Sequence, residues 1–474
     1  MKVLIIASNR SRVPFAVMPF GACVVAEAAA AVGHEARVLD LMFARDPARS
    51  MRSAIESFDP DVVGVSFRNI DNNDMKHPED YTQELRALAT AVRGMTGAEI
   101  ILGGSAAGIM PEQLLRSTGL RYAVAGHGEQ VFPEILSRMA EDKDFSDLPG
   151  VASLKNGSFR MNRPGRQGAG PAPSPDFRKW TDVMAYRSQM SAAPVQTKRG
   201  CPYDCIYCTY AITEGRDYRL SSPEAVVESV RRLVACGMDE IEFVDNVFNA
   251  PPEHAAAVCE ALIRADTGAR FQTLELNPMF VDDNLLGLME RAGFTGVGIT
   301  AESASDAVLG NLRKGYTRAH VIRAAEAVAR QSMPVLWMFL LGGPGEDETT
   351  AAETFGFAER YVRESDVAFF NAGIRIYPGT QIESIACGSG CLALPARDML
   401  EPMFYVSPRI GRERLFGVIQ EHTDRHMNFM GSDSIHYTAL PFVFRAAFAA
   451  GVRPPLWRFT PSLRRVFRLF GASV

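Results

Sequence analysis

The chain has 474 residues, 47% hydrophobic and 22% charged, with a formal net charge of −5. Its length calls for two or three domains, its composition excludes a disordered chain, and its acidic balance argues against general nucleic-acid binding. No run reaches the roughly 20 apolar residues of a membrane span, and Ser8, Asn9 and Arg10 cut off the opening apolar run before a signal core can form.

A cytoplasmic location is therefore expected. Disulfides are rare there, so clustered cysteines read as metal-binding or redox groups. The first 140 residues alternate strand and helix. Strand-like runs are "KVLIIAS" (2–8), "EARVLDL" (35–41), "DVVGVSF" (61–67), "EIILGGS" (99–105) and "YAVAGHGE" (122–129). Helix-like runs fall at 21–33, 47–58, 80–94 and from Pro111. Short buried strands alternating with helices predict a parallel, doubly wound, flavodoxin-like sheet, with ligands at the carboxyl ends of its strands. Those ends carry Ser8-Asn9-Arg10, "FRNIDNND" (67–74), "GGSAAG" (103–108) and "GHGE" (126–129). The candidate ligand residues there are Asn69, Asp71, Gly103, Gly104, Ser105, Gly126, Gly128 and Glu129. A single glycine at a strand end simply makes the turn, whereas four such loops on one edge point to a ligand.

Residues 141–192 read as a linker, with a hairpin-like Asn-Gly turn in "LKNGSF" (154–159) and a Gly- and Pro-rich stretch at 162–177. From 193 the alternation resumes. Strand-like runs at 193–198, 240–248, 270–277, 296–303, 335–343 and 367–378 are separated by helix-like runs at 222–236, 252–265, 283–292, 304–312, 317–332 and 347–363. Six repeats predict a parallel (β/α)6 partial barrel over 193–384, with function on the loops after the strands. Residues 385–474 read as a small helical cap. Its aromatic, basic end, 440–474, is expected to pack on the protein rather than on a membrane surface.

Three of the eight cysteines, Cys201, Cys205 and Cys208, crowd the loop "CPYDCIYC" after the first strand of the second series. Thiolates bind iron–sulfur clusters, usually four to a cluster. Three leave one iron open, which is the mark of a catalytic metal site. A zinc site or three unrelated cysteines are the alternatives. Zinc wants a fourth ligand, and Cys236 and His254 lack paired spacing. The other five, Cys23, Cys236, Cys259, Cys387 and Cys391, read as core or incidental residues, with a metal-binding Cys387/Cys391 pair as the lesser alternative.

At this loop the sequence resembles the radical S-adenosylmethionine (SAM) superfamily, whose signature is Cys-x3-Cys-x2-Cys with an aromatic residue before the last cysteine, here Tyr207. The resemblance implies that the three cysteines hold a [4Fe–4S] cluster whose fourth iron is chelated by SAM. It also implies reductive cleavage of SAM to a 5′-deoxyadenosyl radical, with electrons from an external donor such as a flavodoxin or ferredoxin. By the same resemblance Glu302 and Ser303 in "ITAES" contact SAM. Gly342 and Gly343 in "LLGGPGED" offer backbone N–H groups to it. Asp245 and Asn246 orient SAM or substrate, Tyr377 packs on a large cofactor, and Arg219 pairs with the SAM carboxylate.

A doubly wound domain ahead of such a barrel resembles the cobalamin-binding branch of the superfamily. The segments "VGVSFRNIDNND", "ILGGSAAGIMPEQLL" and "AGHGEQVFPEIL" carry that likeness. The Asp-x-His-x-x-Gly motif that supplies cobalt's histidine in many cobalamin proteins is missing. The loop after the first strand reads "SNRSRVPF", and His34, His77 and His127 lack the spacing. The resemblance then implies cobalamin without a protein histidine beneath it, or a domain that has lost its cofactor. With both cofactors, the implied reaction is methylation of an unactivated carbon of a small-molecule or natural-product substrate, bulky or apolar if the aromatic cap is a guide. A radical SAM cyclase or rearranging enzyme, and a cobalamin-binding sensor, are the other readings. No second three-cysteine set accompanies the first, as a methylthiotransferase would require.

Overall fold

The computed structural model describes residues 1–164, 171, 174–391, 399–432 and 440–469. Two seven-stranded sheets organise them. The first contains β1 (Lys2–Ala7), β2 (Glu35–Asp40), β3 (Val62–Ser66), β4 (Glu99–Gly103), β5 (Tyr122–Val124), β6 (Val151–Lys155) and β7 (Ser158–Met161). Its order is β2-β1-β3-β4-β5-β6-β7, with β1 to β5 all parallel. The order of the first five is that of a flavodoxin-like sheet. Strands such as β1 are buried nearly end to end, as helices on both faces require. Ile6, Val63 and Leu102 pack on one face; Val3, Ile5 and Ile101 pack on the other.

The segment read as a linker is in part a piece of this sheet. β6 pairs antiparallel with β5, and β7 with β6, across the Asn156-Gly157 turn. Gly157 there has a φ of +77°. The Gly- and Pro-rich stretch falls mostly outside the described residues, at 165–170 and 172–173.

The second series starts with β8 (Ala193–Val195). A two-residue pair follows, β9 (Lys198–Arg199) and β10 (Arg219–Leu220), antiparallel to each other. Then come β11 (Glu240–Phe243), β12 (Arg270–Leu276), β13 (Phe294–Glu302), β14 (Val335–Leu341) and β15 (Val367–Ala372). These six main strands are parallel neighbours in chain order, β8-β11-β12-β13-β14-β15, a partial barrel. Local signals start its helices. Ser222 accepts from Ala225 N–H at 3.2 Å ahead of Pro223, and Asp347 with Thr350 forms a capping box. Phe243, Phe248, Phe271 and Phe294 cluster at centroid distances of 5.1–5.6 Å in the core shared with the barrel helices. Each such ring stabilises the core by about 1.5–3 kcal/mol.

The last predicted strand, 367–378, is broken. Gly373, at φ +76°, ends β15, and β16 (Ile374–Arg375) turns off to pair with β17 (Phe404–Tyr405). The C-terminal region is more than a helical cap. Besides helices Arg412–Arg425, Leu440–Ala449 and Thr460–Leu469, it contributes β17, and β18 (Phe429–Gly431) pairs parallel with β15 as a seventh strand. Residues 392–398, 433–439 and 470–474 of that region lie outside the described residues. Among the described residues no helix is long and apolar enough to cross a membrane.

Candidate functional site at the domain junction

The cysteine loop leaves β9 through Gly200, whose φ is +85° and whose Cβ, were there one, would lie 2.0 Å from the Asp217 carbonyl oxygen. Only glycine fits. The β9/β10 pair closes the base of the loop. Cys201 N–H donates to Gly215 O (3.0 Å), Gly200 N–H to Glu214 Oε2 (3.1 Å) and Cys208 N–H to Cys205 O (3.2 Å). The loop's middle is fixed from the barrel. Ile206 is buried, its N–H donating to Leu312 O and its carbonyl accepting from Ile382 N–H. Asp204 accepts from Arg216 (2.8 Å), Arg313 (2.9 Å) and Gln381 (3.1 Å). Those hydrogen bonds, Arg216's first, hold its carboxyl down at about 2.

Cys201 is buried; Cys205 and Cys208 are partly exposed. Burial pushes the Cys201 thiol up and the Cys208 thiol up to about 12. A bound metal centre would offset this, because coordination deprotonates a thiol outright. One zinc ion with Zn–S near 2.3 Å would draw the three sulfurs to within about 4 Å of one another. Among the described residues the one set of three ligand-type side chains gathered within 4.8 Å is elsewhere, at Glu359, His422 and His426. The cysteines thus share one pinned loop but spread wider than a single ion can bridge, which fits a multi-iron core.

Tyr207 OH donates to Glu302 Oε1 (2.6 Å), and Lys314 Nζ donates to both Tyr207 OH (3.0 Å) and Glu302 Oε1 (3.1 Å). Glu302 sits at φ +57° beside a register break in the β13/β14 ladder, which re-aims its side chain. Burial works against the Lys314 charge, but Glu302, Tyr207 and Tyr316 outweigh it and keep the ammonium protonated. The motif's aromatic residue therefore ties the cysteine loop to the end of β13.

A cavity of about 400 Å³ lies where the two sheets meet. Gly103, Gly104, Ser105, Gly126, Gly128 and Glu129, all expected as ligand residues, line it from the first sheet. Gly104 has φ +94° and a Cβ there would strike Phe67 O at 2.3 Å. Ile5, Val65, Ile101 and Phe132 form an apolar recess, and Gln196, Arg199, Tyr210 and Glu214 close the barrel side. His127 also lines the cavity, and its Nδ1 lies 2.5 Å from Arg199 Nη1. Burial first, and Arg199 second, lower its pKa to about 4, so it is neutral at pH 7. Arg199 also pairs with Glu129 across the junction.

Several expected ligands are committed to structure. Asp71 forms an ion pair with Arg375 at 2.8 Å, with 0% and 2% side-chain exposure respectively; it bolts the domains together. Asn69 lies on the exposed loop beside it, and its neighbour Arg68 is the residue that lines the cavity. Asp245 accepts from Thr197 N–H and hydroxyl (both 2.7 Å) and Lys198 N–H (3.1 Å), positioning the start of the cysteine loop. Asn246 donates to Gly200 O at 3.2 Å and keeps its buried Oδ1 without a partner. Ser303 is buried against Thr354 at 3.0 Å. The N–H groups of Gly342 and Gly343 donate to Glu346 Oε2, so they are not offered to a cofactor. Arg219 donates to Glu214 O at 2.5 Å, and Tyr377 packs beneath Arg375 at 4.7 Å.

Sequence reading missed Arg68, Arg199 and Tyr210 at the cavity and Lys314 beside Glu302, and it passed over Glu242, which accepts from Gln272 at 2.6 Å, and Glu275 on the neighbouring strands. A signal was present in the acids of "EIEF", "LEL" and "TAE" on three successive barrel strands, where apolar residues would be routine. Burial first, then Glu302, raises the Glu275 carboxyl to about 8.

Family models agree with this division. The B12 binding domain matches residues 9–136 and the radical SAM superfamily matches 195–358. The chain belongs to the cobalamin-binding radical SAM enzymes. Its cofactors are accordingly a [4Fe–4S] cluster, SAM and cobalamin. The chain is 25% identical to the tryptophan 2-C-methyltransferase of Streptomyces laurentii, over 79% of this chain and 73% of that one. It is 24% identical to an uncharacterized methyltransferase of Pyrococcus horikoshii, over 76% of each. Among solved structures, the radical SAM methyltransferase TsrM of Kitasatospora setae, with cobalamin and a [4Fe–4S] cluster bound, shares the fold at a TM-score of 0.85 and 20% identity, covering 100% of both chains. The cobalamin-dependent radical enzyme OxsB follows at 0.72 and 13%, covering 100% of this chain and 73% of that one.

Proposed function

We propose that this enzyme transfers a methyl group to a carbon of a small substrate held between its two domains. The observation that carries the proposal is the cavity shared by both sheets, lined on its barrel side by Arg199, Tyr210 and Glu214, which flank the pinned three-cysteine loop. When bound, the cluster with SAM supplies one-electron reductive chemistry and cobalamin supplies an activated methyl group. Cys201, Cys205 and Cys208 hold the cluster, and Tyr207 with Lys314 fixes that loop against Glu302. The glycine-lined strand ends from Gly103 to Glu129 and the apolar recess take the corrin. The buried domain junction excludes water. The free cysteines and the reducing chemistry favour a cytoplasmic setting with a flavodoxin- or ferredoxin-type donor.

An unactivated carbon, attacked after hydrogen abstraction, is the first reading. A second, methylation of an aromatic carbon without hydrogen abstraction, is favoured by the likeness to the tryptophan 2-C-methyltransferase. The test uses SAM with a deuterated methyl, reductant and tryptophan as the first probe, under anaerobic conditions. A labelled methylated product with matching 5′-deoxyadenosine supports the radical route, and labelled product without it supports the second. Corrinoid-loaded enzyme that transfers no label to any of a panel of small aromatic and aliphatic metabolites refutes the assignment.

A further inference from the structure

A second cluster of ligand-type side chains lies outside the cavity. Glu359 sits near the end of helix Glu348–Tyr361, and His422 and His426 sit one turn apart at the end of helix Arg412–Arg425. His422 Nδ1 is 2.9 Å and His426 Nε2 is 3.3 Å from the same oxygen, Glu359 Oε1. All three ligand atoms lie within 4.8 Å of one another. A tetrahedral ion with nitrogen and oxygen ligands at 2.0–2.2 Å has edges of about 3.3 Å between them. The observed spacings fall close to that.

The rings are held before any ion arrives. His422 stacks on Phe355 at 3.9 Å with a 5° interplanar angle, and His426 leans on Phe429 at 4.5 Å. Such packing fixes ring orientation, which a metal site otherwise loses affinity to achieve. His426 is the residue that ends its helix, where the macrodipole favours a cation. Two imidazoles and one carboxylate suit zinc, nickel or copper rather than calcium or magnesium, which prefer all-oxygen ligands. The helix after β14 runs back toward the N-terminal ends of the strands. Its far end therefore lies on the barrel face opposite the cysteine loop, where side chains serve stability rather than reaction.

We propose that Glu359, His422 and His426 form a zinc-type divalent metal site with three protein ligands and an outward-facing fourth position. The ion clips the helix that leads into β18 onto the barrel helix after β14. It shares no residue with the cavity, so it stands or falls apart from the methyl-transfer reading.

Cobalt(II) is the probe, titrated into the full chain carrying C201S, C205S and C208S so that the loop thiols do not compete. The expected result is one equivalent bound, with visible d–d bands of nitrogen and oxygen ligation, no sulfur charge transfer, displacement by zinc, and a raised Tm. Glu359→Gln, nearly isosteric, and His426→Gln should each weaken binding at least about tenfold, the lower bound for disturbing even a ligand's support. Circular dichroism establishes that the variants are folded; the glutamate change answers if the histidine change does not fold. Absence of the bands, sulfur charge transfer, or weak binding that neither substitution alters (an adventitious ion only) would overturn the proposal.

Discussion

The Asp71–Arg375 pair joins the loop after β3 to the edge of the barrel, residues 304 positions apart. Both side chains are buried, and Arg375 also donates to Ile376 O (2.5 Å) and Met399 O (3.0 Å). Arg375→Met strands a buried carboxylate, which keeps only the Asn73 N–H at 2.8 Å, and orphans two carbonyls. Breaking a buried pair in this way costs about 3–5 kcal/mol, whereas removing both charges often costs little. Unfolding entropy near 2.1 cal/mol/K per residue means that the whole 474-residue chain, melting as one unit, loses about 1 °C per kcal/mol. Arg375→Met should therefore lower Tm by about 3–5 °C, or about twice that if the barrel half melts alone. The double variant Asp71→Asn/Arg375→Met should recover part of the loss. Thermal melts by circular dichroism on the parent, both single variants and the double close the cycle. Additive effects with no coupling, or an Arg375→Met melt indistinguishable from the parent, would refute the view of this pair as the bolt between domains.

Two further outcomes follow from the same geometry. Gly200→Ala forces a Cβ against Asp217 O at φ +85°, a conformation costing L-residues about 1–2 kcal/mol before the clash is counted; iron per chain should fall while corrinoid binding stays at the parental level. His127, buried neutral with a pKa near 4, binds its proton more weakly folded than unfolded, where the value is about 6.5. Its contribution is full above about pH 6.5 and lost as pH falls toward 4, by up to about 3 kcal/mol. Urea denaturation at pH 7 and pH 5 should show a steeper loss in the parent than in His127→Asn; equal losses would mean that the imidazole carries no such penalty.

Local patterns made much of this molecule legible. Short strand-like runs alternating with helix-like runs marked all eleven main parallel strands of the two sheets before β18, and the Asn156-Gly157 turn marked its hairpin. The three cysteines were readable because their spacing is itself the chemistry. What escaped was set by distant partners. Asp71 looked like a ligand because Arg375 is far away in sequence. Gly342 and Gly343 looked open because nothing local says that Glu346 folds back onto their N–H groups. Asp245 looked functional because its three donors lie on another strand. β18 has three residues and no periodicity, and β9 is two buried basic residues that no apolar pattern announces. Arg199, which links His127 and Glu129 to the barrel, was hidden for the same reason.

A thiolate loop and a glycine-lined cavity are two separable sites in one chain. Iron and corrinoid measured together on anaerobically prepared parent and Cys205→Ala enzyme test this directly. The parent should hold about four irons with its corrinoid, and the variant should lose the iron and keep the corrinoid. A parent without iron, or a variant that retains it, would contradict the account.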